Sequence, residues 1–212
     1  LKRTVLGLVR HGETEWNHQN RLQGTIDIPL SAIGSRQAHC LARKLGQQTW
    51  DAIYASDLSR AVTTAQIVAN SMSLRVAIDK RLRERNYGPL EGRIRSNINH
   101  LYPGLITHGT EHAIEGVEPF ASLCERAQIA FEEIAERHAG QRLLIVSHGG
   151  WINALLHTIS NGQYGTGVNK QENTGVSLLE KSKNRWRVHA VNDVSHFDDG
   201  DALIAYYSNV KA

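Results

Sequence analysis

Along this chain, short runs of apolar and β-branched residues alternate with longer stretches whose apolar positions recur at helical spacing. The first run, Thr4 to Val9, lacks polar alternation and predicts a strand buried on both faces. Ser31 is placed to cap a helix from Ala32 to about Gln48, with Ile33, Ala38, Leu41, Ala42 and Leu45 at helical spacing and Gly46 near its end. Trp50 to Tyr54 reads as a second strand, Leu58 to about Ser71 as a second helix, and Leu74 to Ile78 as a third strand. Pro119 suits the first turn of a helix that runs from Phe120 to about His138, with Gly140 ending it. Leu143 to Val146 follows as an apolar strand, and Gly150 to about Ile159 as a helix. The tail gives two more strands, Gly175 to Leu179 and Trp186 to Val191, the second alternating inward and outward. This β-α alternation predicts an α/β fold: a three-layer α/β/α sandwich whose central sheet is mostly parallel and covered on both faces.

Residues 86 to 118 break the pattern. Gly, Pro, His and Asn are frequent there, and helical signal is confined to a weak patch at Arg95 to Leu101. We expect a loop-rich lid excursion from one domain spanning 1–212, since 212 residues suffice for a single core. Hydrophobic residues make up 41% and charged residues 21%, which excludes a disordered or low-complexity chain. A net charge of +3 implies no nucleic-acid surface, and no apolar run approaches the ~18 residues that a membrane span needs. Thr4 to Val9 is also too short for a signal-peptide core. Cys40 and Cys124 lie far apart outside any C-x-x-C pair, and read as free apolar fillers on helices. Together these readings place the protein in a reducing cytoplasm.

In open α/β sheets, ligands collect beyond the carboxyl ends of the strands. Two apolar strands here end in polar clusters: 4 to 9 runs into Arg10-His11-Gly12-Glu13-Thr14, and 143 to 146 into Ser147-His148-Gly149-Gly150. If both strands are central and parallel, they deliver two imidazoles to one crevice, with Gly12 and Gly149 allowing sharp turns and close approach. Arg10 adds a planar cation suited to phosphate or carboxylate oxygens. Arg60 opens a helix after another strand, the wrong sign for the helix dipole unless an anion compensates it, and the backbone N–H groups there would help hold that anion. Each histidine alone could be a satisfied core residue, and each arginine could face solvent. Four such residues at strand ends are hard to explain by packing.

These residues resemble the histidine phosphatase superfamily, in its phosphoglycerate mutase-like branch. The resemblance rests on RHGETEWN at 10 to 17, then RLQGTIDIPLSAIG, SDLSRAVTTA, LRERNYGPLEG, VSHGG and a closing DVSHF. It implies that His11 is the nucleophile, taking up the phosphoryl group as phosphohistidine. Arg10, Asn17, Arg60 and His148 would grip the nonbridging oxygens, His148 as a protonated cation. Gln23 and the Gly24 backbone would line the entrance. Glu84 matches the proton donor to the leaving oxygen, a role worth roughly 10²- to 10⁴-fold in rate. Fixed positive charge around the equatorial oxygens suits the loose transition state of phosphoryl transfer, so no metal or other cofactor is implied. The partners implied are a small phosphorylated metabolite and inorganic phosphate as product, with no nucleic acid and no membrane.

Within that family, mutases follow the second histidine with Gly-Asn-Ser and an arginine, whereas His148 is followed by Gly149-Gly150-Trp151-Ile152, as in phosphatases. Gly149 is therefore counted with the substrate-binding residues. Tyr87 matches a mutase substrate contact, so a cofactor-dependent phosphoglycerate mutase is the alternative. A catalytically silent binding module predicts damaged catalytic positions, and none is damaged. Ile145 stands where a serine nucleophile elbow needs glycine, and no G-x-x-x-x-G-K-[ST] run exists. His108 and His112, with His100 nearby, read as loop histidines rather than metal ligands; one of them reaching the mouth of the site would help select substrate. Gly162 to Gly167 reads as a loop.

Overall fold

The computed structural model describes residues 3–107, 114–182 and 185–197. In chain order the elements are β1 (Thr4–Arg10), α1 (Glu15–His18), α2 (Ala32–Leu45), β2 (Ala52–Ala55), α3 (Ser59–Asn70), β3 (Val76–Ile78), α4 (Arg95–Leu101), α5 (Phe120–Arg137), β4 (Arg142–Ser147), α6 (Gly149–Ile159), β5 (Val176–Ser182) and β6 (Arg185–Asp193). The strands form one sheet in the order β3-β2-β4-β1-β5-β6. β1, β4, β2 and β3 run parallel, while β5 pairs antiparallel with β1 and β6 with β5. The protein is thus an α/β fold with a mostly parallel central sheet, as its apolar pattern predicts.

Alternation along the central strands divides the core in two. Leu6 and Leu8 of β1, with Leu143 and Ile145 of β4, pack against Phe131 and Ile134 of α5 and Trp151 and Leu155 of α6. Val9, Leu144 and Val146 point the other way, against Leu41 and Leu45 of α2 and Ala61, Ala65 and Val68 of α3. Every one of these side chains is at most 3% exposed, and each buried Leu, Ile, Val or Phe stabilises by roughly 1.5–3 kcal/mol. Gly7 leaves room on the second face for Trp50: a Cβ there would lie 2.8 Å from Leu144 and 3.2 Å from the Trp50 ring.

Element ends shift where a side chain has a better use than extending a strand or helix. β2 begins at Ala52 because Trp50 turns its ring into the core. β6 reaches Asp193 because that residue pairs with Val176. Ser31 caps α2 by accepting from Gly34 N–H at 3.0 Å. The short α1 went unpredicted; Thr14 and Asn17 build it with a reciprocal capping box. The weak patch at 95 to 101 is α4, and residues 162 to 167 are turns. Leu22, Tyr87, Leu90, Ile98 and Leu105 form a third, smaller apolar cluster within and beside the 86 to 118 excursion. Cys40 is buried as expected, whereas Cys124 is only partly buried; both are free.

Candidate active site

β1 and β4 are parallel neighbours whose following connections leave over opposite faces, β1 through α2 and β4 through α6. A crevice opens where chain direction splits in this way, beyond the carboxyl ends of both strands. His11 follows one strand and His148 the other, and their ring centroids are 5.1 Å apart at an interplanar angle of 59°. His11 is 3% exposed and His148 fully buried.

His11 Nδ1 lies 2.7 Å from the Gly12 carbonyl oxygen. A carbonyl only accepts, so Nδ1 carries the proton and Nε2 keeps an unshared pair. Burial pushes the His11 pKa well below 6.5, and Arg60 and Arg10 push it further. The ring is therefore neutral, with a free nitrogen. His148 has no hydrogen-bond partner on either ring nitrogen, which rules out a satisfied core histidine. Burial, then Arg60, His11 and Arg10, also lower its pKa well below 6.5. Before an anion arrives, His148 is therefore neutral.

Arg60 does not face solvent, and Arg10 is partly buried at the edge of the crevice. Arg60 is fully buried and donates to the carbonyls of Ile26 (2.8 Å) and Gly24 (2.7 Å). These carbonyls, rather than an anion on the α3 N-terminus, compensate its place in the first helical turn. The Ser59 N–H is also spent, on Asp27 Oδ1 at 2.8 Å. Arg10 donates to the Gln171 carbonyl at 2.6 Å. Nε of both arginines is buried without a partner. Burial lowers each guanidinium to about 10; neighbouring Arg95 also lowers Arg10, and Glu84 opposes both shifts. Two desolvated cations with unpaired donors suit an anionic ligand.

Glu84 comes from the loop after β3 and sits on the α6 N-terminus. Its carboxylate accepts from Gly150 N–H (2.9 Å), Trp151 N–H (3.0 Å) and Arg85 N–H (2.9 Å). A Cβ at Gly150 would lie 2.3 Å from Glu84 Oε1, so a larger residue there must shift the carboxylate. Arg126 of α5 holds the loop from behind, donating to the carbonyls of Arg81 (2.8 Å) and Arg83 (2.9 Å) while paired with Glu118 at 2.9 Å. Ser147 Oγ donates to the Leu82 carbonyl at 2.7 Å, so its hydroxyl serves the same loop.

A cavity of about 740 Å³ opens here, lined by Arg10, Asn17, Glu84, Tyr87, Arg95 and Gly149, among others. Asn17 Oδ1 accepts from Thr14 N–H (3.1 Å) and Asn173 Nδ2 (3.3 Å), which turns its NH₂ end away from both. Tyr87 is buried, and burial raises the pKa of its hydroxyl. Gln23 and Gly24 are buried and, like His11, Arg60 and His148, are not among the residues that line this cavity. Neither Gly12 nor Gly149 has a positive φ. Gly12 is required by contact, as a Cβ would lie 2.4 Å from the Gly34 carbonyl, whereas at Gly149 a Cβ would meet Arg10 at an ordinary 3.5 Å. His100 is exposed and outside the lining; His108 and His112 lie outside the described residues. Among the described residues, no three His, Cys, Asp or Glu side chains form a metal-ligand group.

Sequence reasoning missed the turn at 171 to 174. Gln171 accepts from Arg10, Asn173 Nδ2 donates to the His11 carbonyl at 3.0 Å, and Thr174 N–H donates to Arg10 O at 3.0 Å. Much of this work is done by backbone atoms, which leave no residue-type signal. The positive φ at Thr174, a β-branched residue, leaves none either.

The sequence pattern of the histidine phosphatase superfamily (branch 1) matches residues 6–194, and the chain belongs to that family. It is 33% identical to the uncharacterized phosphatase PhoE of Bacillus subtilis, over 91% of this chain and 96% of that one. It is 34% identical to the probable phosphoglycerate mutase GpmB of Yersinia enterocolitica, over 90% and 94%. A phosphoserine phosphatase from Entamoeba histolytica, solved with phosphoserine, superposes with a TM-score of 0.81 at 25% identity, covering 91% of this chain and 98% of that one. The relatives thus include both phosphatases and mutases.

Proposed function

We propose that the protein is a metal-independent phosphomonoesterase that releases inorganic phosphate from small phosphorylated metabolites through a phosphohistidine on His11. The observation that carries this reading is the His11 tautomer: its Nδ1 proton is fixed on the Gly12 carbonyl, which leaves the Nε2 pair free on a ring 5.1 Å from that of His148. In the first step Nε2 bonds to phosphorus, the ester P–O bond breaks, and Glu84, entering the step as the protonated acid, gives its proton to the leaving oxygen. In the second, water attacks phosphorus, its proton goes to Glu84, and the P–N bond breaks to restore neutral His11. Arg10 and Arg60 hold the equatorial oxygens, and Asn17 offers its NH₂ group to the same anion. His148 takes up a proton as the dianion enters, because an adjacent anion favours the charged imidazole. Tyr87 and Gly149 border the leaving group. The 86 to 118 excursion acts as the lid of a single domain.

A phosphatase name on one relative and a phosphoserine ligand in another support hydrolysis of a small metabolite. The Gly149-Gly150 sequence after His148 supports it over the mutase reading, in which Gly-Asn-Ser follows the second histidine. A panel of phosphometabolites assayed for phosphate release, beside an isomerisation assay with 3-phosphoglycerate, tests the proposal. Stoichiometric phosphate release is the expected result. Rapid isomerisation with little free phosphate would replace the phosphatase with a mutase.

A further inference from the structure

Behind the nucleophile lies a buried histidine that the reaction does not use. His196, in the short turn Ser195–Phe197 after β6, is 2% exposed and packs its ring 4.1 Å from that of Phe197. Its Nε2 lies 2.9 Å from Thr174 Oγ1. That hydroxyl donates to the Asn173 carbonyl at 2.7 Å, so it accepts from His196, and the imidazole proton sits on Nε2. Burial and nearby Lys44 push the His196 pKa to about 4, against opposing Asp193, so the donor is the neutral ring at ordinary pH.

Thr174 has φ +58, a left-handed conformation rare for a β-branched side chain. A strained residue persists only where its surroundings over-determine it. The strain has a visible product. It aims Thr174 N–H at the carbonyls of Arg10 (3.0 Å) and His11 (3.3 Å), and the adjoining Asn173 side chain at the His11 carbonyl (3.0 Å) and Asn17 (3.3 Å). From these contacts we infer that His196 is a positioning residue: by holding Thr174 in its left-handed turn, it fixes the backbone that sets the direction of the His11 ring. His196 touches no reacting atom and acts only through Thr174 and Asn173.

The inference deepens the phosphohistidine reading and rests on it for its kinetic arm. The test compares wild type with His196→Leu, His196→Gln, Thr174→Gly and the double variant Thr174→Gly/His196→Leu. Four quantities are measured: kcat/KM for p-nitrophenyl phosphate, orthovanadate affinity, Tm, and the ¹⁵N resonances of the His11 ring without ligand. Glycine adopts a positive φ without strain, so it removes the need for the prop. The expected result is a fall of about 10- to 100-fold in kcat/KM for His196→Leu, the range of small misplacements of a reacting group. Orthovanadate should bind more weakly and the His11 resonances should move. Glutamine, which keeps an N–H donor, should restore most of the loss, and in the Thr174→Gly background His196→Leu should change kcat/KM less than about twofold, a sign of coupling. A fall in Tm alone, with kinetics and His11 resonances unchanged or with additive losses in the double variant, would overturn the inference. Should wild type turn over no phosphoester, the phosphatase reading falls, and the His11 resonances of His196→Leu still decide the positioning claim.

Discussion

The floor of the site and the wall formed by the 86 to 118 excursion are built differently. The floor is made of the segments that follow β1 (His11), β2 (Arg60), β3 (Glu84) and β4 (His148), with β1 and β4 almost wholly buried. Its polar atoms are either tied to carbonyls, as in His11 and Arg60, or left unpaired, as in His148. Among its described residues the wall has one short α-helix, α4, a 3₁₀ turn at Gly88–Leu90 and a small apolar cluster around Ile98, and it offers Tyr87, Arg95, Ile106 and Thr107 to the cavity. Chemistry that needs atoms held in line belongs on the rigid floor, while a wall with few buried contacts can move or vary with the leaving group.

The sharpest way to break this contrast is on the floor. Glu84→Gln should lower kcat by roughly 10²- to 10⁴-fold, while orthovanadate still binds, because the substitution keeps the shape of the side chain. An unchanged kcat would place the proton donor elsewhere. Gly150→Ala should cost about 10²-fold in kcat, since the new Cβ, 2.3 Å from Glu84 Oε1, must displace the carboxylate. Steady-state kinetics with p-nitrophenyl phosphate measures both.

On the wall, Ile98→Ala removes a side chain that is 1% exposed and should destabilise by roughly 2–5 kcal/mol. Because Ile98 does not line the cavity, kcat for a small ester should change only a few-fold, and the effect should fall on KM. A loss of kcat as large as that of Gly150→Ala would erase the distinction between floor and wall.

The smallest effect is on pH. His11, His148 and His196 have folded pKa values below the ordinary 6.5. Between the two values the unfolded chain binds more protons, so stability is fully present above about pH 6.5 and is lost as pH falls below it. The slope is at most ~1.4 kcal/mol per pH unit for each histidine. Thermal unfolding between pH 7.5 and about pH 5 should show Tm falling on acidification, and less steeply with added phosphate, which favours a charged His148. A Tm that rises as pH falls would contradict the neutral assignments.

The same contrast explains what could be read from the sequence. Apolar runs ending in Arg10-His11 and Ser147-His148 announced the floor, because burial on both faces forces an unbroken run and the chemistry starts where it stops. Arg60 and Glu84 were legible through the resemblance of their surrounding motifs, but the partners that hold them were not. The Gly24 and Ile26 carbonyls on Arg60, the Arg126 clamp behind Glu84 and the turn at Thr174 depend on backbone atoms or on residues distant in sequence. The neutral state of His148 before an anion arrives was not legible, because residue type reports a capacity to titrate, while burial and the neighbouring arginines decide the state.

The most direct test is to quench turnover of a ³²P-labelled phosphoester and map the label on the chain. The account predicts an acid-labile, alkali-stable adduct on His11 that forms and decays fast enough to carry turnover, and that is absent in His11→Ala. Phosphate release without any such adduct, or label on another residue, would contradict it.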